Sequence, residues 1–308
     1  MTETSPLRWF APVPARRLTL VRSLTFGYAA AWLVVRGAYI VDVARLPDRR
    51  YEPIGVLHLA ASPPPGEAIA LIWVVTIVAC AAVTMNRRVR LSAPIGAAGM
   101  LVLATYTSAF GQVFHTEHLL VLHVAVLAVA ALVEPAVRAA SDDATSDEAV
   151  ETSGWPLNLM MAVTVVTYVV AGVAKLRYSG IEWITGDVLG NAVAMDNLRK
   201  LLFDDWHSPL GGWLSSIAWI WGPIAVATLA LEIGAPVALV PGRARYVWVA
   251  AVWGFHVGIL AVMAISFPYQ LLGVAFAAFL PVERLADSAA ARLPRWAPRR
   301  LRLENPTL

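Results

Sequence analysis

The chain has 308 residues, of which 58% are apolar and 15% charged, with a net charge of +3 and a mean hydropathy of +0.64. A soluble globular domain averages about 45–50% apolar and about 25% charged residues, so this composition is that of a membrane protein. The single cysteine, Cys80, excludes an intramolecular disulfide and a multi-cysteine metal site, and the absence of a glycine-rich phosphate loop and of any basic-aromatic pattern argues against nucleotide or nucleic-acid partners.

About 20 apolar residues cross a hydrocarbon core of roughly 30 Å. Eight such runs occur in chain order: Leu20–Val43, Ala68–Met85, Leu91–Phe110, Leu119–Val133, Trp155–Ala174, Trp213–Val240, Tyr246–Ile265 and the short Phe267–Leu280. The last has almost no turn before it, because Ser266, Phe267 and Pro268 follow the seventh run directly, and it suits a re-entrant segment. The expected fold is an all-α polytopic membrane bundle of about eight spans, with an N-terminal tail (1–19), a transmembrane domain (20–281) and a basic C-terminal tail (282–308).

Arginine orients it. Arg8, Arg16 and Arg17 before the first run, Arg87, Arg88 and Arg90 after the second, Arg243 and Arg245 after the sixth, and the tail from Arg284 to Arg302 all fall on one side, against Arg45, Arg49 and Arg50 on the other. By the positive-inside rule both termini are expected in the cytoplasm, with Arg177–Trp206 outside. Arg16-Arg17 before an apolar run resembles an export signal, but the run is long and no small-residue cleavage site follows, which favours an uncleaved first helix.

Between the fourth and fifth runs, residues 134–154 include "SDDATSDEAVE" and read as a flexible, acidic cytoplasmic loop. After the fifth run, Thr185 and Asp187 form a helix start signal. Apolar residues then recur at Val188, Leu189, Ala192, Val193, Leu201 and Leu202, which predicts a short interfacial helix in the outer loop.

An ionisable side chain at membrane depth costs about 2.5–3.5 kcal/mol on insertion scales, so it normally faces the bundle interior and has a partner. Arg36, His123, Lys175, Glu232 and His256 meet that description. Lysine is scarce, with only Lys175 and Lys200 in the chain. Two readings stand for Lys175 at the outer end of the fifth run: a snorkelling interfacial cation, or an amine chosen because it can lose its proton where a guanidinium cannot. His256, near the middle of the seventh run, is either a neutral histidine bonded to a neighbouring helix or part of a site. Glu232 has Pro236 four residues on, which withholds the N–H that would bond the Glu232 carbonyl, so a kink beside a paired carboxylate is expected. In "HTEHLLVLH", His115 and His118 lie one turn apart and His123 is rotated away, an arrangement too loose for zinc and better suited to a hydrogen-bonding cluster at the outer mouth. No metal is expected.

The stretch "YVVAGVAKLRYSGIEWITGDVL" resembles the signature of the HTTM (horizontally transferred transmembrane) domain proteins, bacterial relatives of vitamin K-dependent gamma-carboxylase. The resemblance is carried by Ala171, Gly172, Lys175, Leu176, Trp183 and Gly186. His118 in "TEHLLVL", Glu232, and the Phe255-His256 pair follow in the same order, so the likeness runs from about Ala109 to Pro281. In the carboxylase the matching lysine is the base that deprotonates vitamin K hydroquinone, whose reaction with oxygen yields the strong base acting on substrate glutamate.

The resemblance therefore implies two catalytic residues, Lys175 as a general base and His118 as a hydrogen-bonding partner of the quinol or its oxygenated product, with His256, Trp183, Arg36 and Glu232 around a bound quinone or quinol. Abundant arginine and alanine with little lysine suits a GC-rich bacterial genome, where menaquinone is the available naphthoquinone, and the expected location is a bacterial inner membrane. The carboxylase's long soluble part and its linking cysteine pair have no counterpart here, so carboxylation of a peptide is not carried over. The alternative from another class is a non-catalytic membrane protein that binds a lipid or partner in the same cavity and assists maturation of a small secreted peptide.

Overall fold

The structure is a computed structural model and describes residues 8–60, 62–111, 113, 115–139, 151–185 and 187–291. In chain order the elements are strand β1 (Pro12–Pro14), helices α1 (Ala15–Val43), α2 (Gly66–Thr84), α3 (Val89–Ser108) and α4 (His118–Ala139), strand β2 (Glu151–Ser153), and helices α5 (Trp155–Ser179), α6 (Glu182–Thr185), α7 (Asp187–Leu202), α8 (Pro209–Leu214), α9 (Trp221–Ile233), α10 (Arg243–Met263), α11 (Pro268–Leu271) and α12 (Val282–Ala291). Short 3₁₀ turns link several of them.

Five helices, α1, α2, α3, α5 and α10, are long and apolar enough to cross a membrane by length and composition, and α4 and α9 contribute shorter apolar stretches. The sixth and eighth expected spans are not single helices. Between Trp213 and Val240 the chain passes through a 3₁₀ turn at Ala218–Ile220, then α9, then a second 3₁₀ turn at Ala235–Leu239. Gly234 and Pro236 end α9 just after Glu232, because proline supplies no N–H for the preceding turn. After Phe267 the chain forms only α11 and a 3₁₀ turn, Val274–Phe279, separated by Gly273 in the left-handed region at φ 74°.

The chain divides into two compact units. The first comprises residues up to Val113, His123–Asn158 and the chain from Leu280. Here α1 packs on α2 and α2 on α3. Phe26, Leu33 and Ile40 are buried at seven-residue spacing on α1, while Val34 and Val35 of the same helix are exposed. Exposed apolar residues of this density form an aggregating patch in water and a lipid-facing surface in a bilayer. The α1–α2 seam closes tightly at Trp73, whose indole donates to the Leu33 carbonyl at 2.9 Å. A side chain at Gly37 would meet the Trp73 ring at 2.6 Å, so that crossing requires glycine.

The same unit ties both flanking segments to α1. Strands β1 and β2 pair antiparallel with Val13 opposite Thr152, and Asn158 donates to the Trp9 carbonyl at 2.6 Å. The flexible loop expected over 134–154 is thus shortened from both ends, by α4 running to Ala139 and by β2, and residues 140–150 lie outside the described part. Arg17 donates to both oxygens of Glu283 on α12 at 2.8 and 2.6 Å, and Arg16 pairs with Asp287 at 2.7 Å. The Arg17 hydrogen bonds hold the Glu283 carboxyl below its ordinary range. The twin arginines therefore anchor α12.

The second unit comprises residues 114–122 and 159–279, and holds most of α5 together with α6 to α11. The helix expected after Asp187 is present as α7. It buries Val193, Asn197 and Lys200 and exposes Met195, Leu198, Leu201 and Leu202. Asn197 and Lys200 thus point inward while four large apolar side chains point outward, which is not the pattern of a helix on a water-soluble domain.

Candidate functional site

Within the second unit, Tyr168, Gly172 and Lys175 fall at i, i+4 and i+7 on α5, which is one face of an α-helix. Gly172 governs how near that face comes to α9. A Cβ there would lie 2.9 Å from the Ile233 side chain and 3.1 Å from the Glu232 Cβ, closer than side chains tolerate. Because residue 172 is glycine, α5 settles against the end of α9, and the residue three positions on meets Glu232.

That residue is Lys175, whose ammonium forms an ion pair with Glu232 Oε1. The Glu232 side chain is 3% exposed and that of Lys175 is 22% exposed, so the carboxylate is enclosed and the amine stands at the rim. Two aromatic faces complete the rim. Lys175 Nζ lies 5.2 Å from the Trp183 ring centre on α6 and 5.9 Å from that of Phe255 on α10, within the roughly 6 Å reach of a cation–π contact. Neither Glu232 Oε2 nor Trp183 Nε1 has a hydrogen-bond partner among the described residues.

Two turns from Lys175 on α5, Tyr168 is hydrogen-bonded to His256 Nε2 at 2.7 Å, both side chains being buried. Trp248 packs edge-on against Tyr168, with ring centres 5.4 Å apart, and its indole donates at 3.0 Å to the Leu231 carbonyl, one of those left free where α9 ends. On its other side His256 packs on Phe267 at 4.9 Å, and Phe267 on His115 at 5.6 Å. His256 Nδ1 has no partner among the described residues.

The structure thus brings together Lys175, Glu232 and Trp183, with His256 one step behind them. His118 opens α4 as an exposed residue, and among the described residues its ring makes no hydrogen bond to Lys175. Its neighbour His115 is the member of the histidine cluster that reaches the Phe267–His256 stack. Arg36 belongs to the first unit, where its guanidinium lies 4.2 Å over the Tyr39 ring. Gly186 lies outside the described residues. Sequence reasoning passed over Tyr168 and Phe267, although Tyr168 was recoverable from its seven-residue spacing to Lys175. No group of three or more metal-ligating side chains occurs among the described residues.

A second polar locus of this unit holds the other lysine. The last carbonyls of α10 would otherwise lack partners, and the α7–α8 segment supplies them. Ser208 Oγ donates to Ala261 at 2.5 Å, Asn197 Nδ2 to Val262 at 3.0 Å, and Lys200 Nζ to Met263 at 2.5 Å. Asn197 Oδ1 accepts from the Ser208 N–H at 2.7 Å, and Asp196 pairs with Lys200 at 2.8 Å. Lys200 therefore places positive charge at the negative end of the α10 dipole. Lys200 is thus buried and caps a helix.

A groove of about 210 Å³ lies between α1 and α2, lined by Ile40, Ala44, Ile69 and Trp73 among others. It contains none of Lys175, His118, His256, Trp183, Arg36 and Glu232 and is below the roughly 300–1,000 Å³ of small-molecule sites.

Long apolar helices, lipid-suited outer faces and a charged pair set inside the helices define an α-helical integral membrane protein. The family model described as HTTM domain matches residues 10–283, and the chain belongs to the HTTM domain family. No curated protein and no solved structure matches it.

Proposed function

We propose that the protein is a membrane enzyme in which Lys175 acts as general base on the hydroxyl of a lipid-soluble quinol, menaquinol being the candidate. The observation that carries this reading is the Lys175–Glu232 pair itself: an amine at the rim of an aromatic-lined site, backed by an enclosed carboxylate. The residues fit a flat aromatic acid. Trp183 and Phe255 offer ring faces, and the unpartnered Trp183 Nε1–H offers a donor for a ring oxygen. Such a quinol would supply an acidic hydroxyl and redox chemistry at its ring.

Lys175 takes the hydroxyl proton on Nζ, and Glu232 holds the ammonium so formed, which makes the transfer less unfavourable in an apolar surrounding. Arginine in this position keeps the ion pair and forfeits the base. His118, exposed at the start of α4, is on this reading a hydrogen-bonding partner of the quinol rather than of Lys175. The arginine asymmetry supports a bacterial inner-membrane location with both termini cytoplasmic, and the outward apolar face of α7 supports its lying in the outer interface.

A second reading, a non-catalytic protein that holds a lipid or assists maturation of a secreted peptide, draws on the same pair, since intramembrane charges also pair for structural reasons. Mass spectrometry of lipids bound to the purified protein separates the two. The enzyme reading expects a naphthoquinone with both the wild type and Lys175→Arg; phospholipid alone with the wild type favours the second.

A further inference from the structure

In the first unit, helices α2 and α3 are each long and apolar enough to cross the membrane, so the turn that joins them, residues 85–88, sits at a membrane face. That turn gathers positive charge. Arg87, Arg88 and Arg90 are exposed within four residues, their Cα atoms at most roughly 11 Å apart. A further arginine, the buried Arg22 of α1, reaches the same turn and donates to Asn86 Oδ1 at 3.1 Å. Nothing balances the three exposed ones. The sequence has no Asp or Glu between Glu67 and Glu117, and the carboxylates that α12 brings to this end of α1, Glu283 and Asp287, are already paired with Arg17 and Arg16. Among the described residues, the side chains of Arg87, Arg88 and Arg90 make no hydrogen bond, ion pair or ring contact. Arg88 moreover stands at φ 47°, in the left-handed region where glycine costs least, with no internal contact to offset that conformation. Met85 and Leu91, on either side of the arginines, are exposed apolar residues, which sets the cluster where acyl chains meet headgroups rather than in free solution.

We propose that the α2–α3 turn is a binding site for the phosphate of an anionic phospholipid, held by Arg87, Arg88 and Arg90, with Met85 and Leu91 against the upper part of its acyl chains. A guanidinium fork pairs with two phosphate oxygens at once, and a cluster without counter-charge favours a headgroup of net negative charge, such as phosphatidylglycerol, over zwitterionic phosphatidylcholine. Arg22 and Asn86 fix the turn that presents the cluster. The site lies in the first unit and does not depend on the quinol reading.

The test titrates phosphatidylglycerol and, separately, phosphatidylcholine onto delipidated full-length protein in neutral detergent and counts bound lipid by native mass spectrometry. The wild type should prefer phosphatidylglycerol. Arg87→Gln/Arg88→Asn/Arg90→Gln should lose that preference by at least tenfold, since one arginine at a membrane surface is worth about a fivefold gain in binding. Asparagine at 88 tolerates the left-handed backbone, and Arg87→Gln or Arg90→Gln alone, each expected to lose about fivefold, keeps the test open if the triple variant does not fold. Arg45→Gln/Arg49→Gln/Arg50→Gln removes as much charge from the loop after α1 and should keep the preference. An equal loss in both triple variants is a general charge effect and overturns the site, as does an undiminished preference in the α2–α3 variants. A preference that appears only once Asp142, Asp143, Asp147 and Glu148 are changed to their amides would assign the turn to the chain's own acidic stretch and overturn the lipid assignment.

Discussion

Lys175 and Lys200 are the only lysines of the chain, and the second unit surrounds them in opposite ways. Lys200 is closed in on all sides: its ammonium meets two main-chain carbonyls and Asp196, and its side chain is 8% exposed. Lys175 has one carboxylate oxygen, two ring faces and an open rim. The first arrangement uses every donor of the ammonium to finish a helix. The second leaves donors free and puts an unpartnered acceptor behind them, which is how a group that must change its protonation state is held. Two lysines equivalent in composition thus stand in different environments: Lys200 as a capping cation, and Lys175 as an amine at a rim, which the proposed function takes as a base.

The largest effect expected from this contrast comes from breaking the pair. Glu232→Ala leaves the Lys175 ammonium without its enclosed counter-charge and should cost about 3–5 kcal/mol, read as a large fall in Tm in detergent. The double change Lys175→Met/Glu232→Leu should recover most of that stability while abolishing turnover, because an apolar pair replaces a buried ionic one at little cost. A double variant as unstable as Glu232→Ala alone would mean that the pair is needed for the packing of α5 on α9.

Next in size is the helix cap. Lys200→Met removes a cation from the end of α10 and should cost about 1–2 kcal/mol without touching ligand binding. Lys200→Arg should fall between it and the wild type, since the guanidinium keeps the charge but not the fit to two carbonyls. Loss of bound ligand in a folded Lys200→Met protein would erase the distinction between the two lysines.

Much of this was legible in the residues. The apolar runs at α1, α2, α3, α5 and α10 announce helices of spanning length, and proline four residues after Glu232 announces the end of α9. The pairing of Lys175 with Glu232 lies 57 residues apart in the chain, and nothing in either local pattern fixes it; it depends on how closely Gly172 lets two helices approach. The capping role of Lys200 was not legible for a related reason. An inward-facing lysine on an outward-apolar helix cannot be told from a surface cation until the helix end it caps is known. The histidine cluster shows the same limit, since periodicity gave the relative angles of His115, His118 and His123 but not which of them meets Phe267.

The smallest effect lies in the first unit and serves as the control for both lysines. Glu283 is held ionised by Arg17, so its folded-state pKa is below the ordinary 4.5. A lowered carboxyl pKa gives stability that is complete above the unfolded value and is lost as pH falls through the folded one. The Tm difference between wild type and Glu283→Gln should therefore be constant from neutral pH down to about 5, correspond to about 1 kcal/mol, and shrink below that. A difference that grows on acidification would contradict the assignment.

The central claim, that residue 175 is lysine because it must give up a proton and residue 200 is lysine because it must keep one, is tested most directly by Lys175→Arg. The measurement is the rate of oxygen-dependent consumption of a reduced naphthoquinone by the purified protein in nanodiscs, beside its Tm. Arginine preserves the charge and the pair with Glu232, so Tm should stay within a few degrees of wild type while the rate falls by about 10²–10⁴, the usual contribution of a general base. A Lys175→Arg protein that folds and consumes the quinol at the wild-type rate would contradict the account and return Lys175 to the company of Lys200.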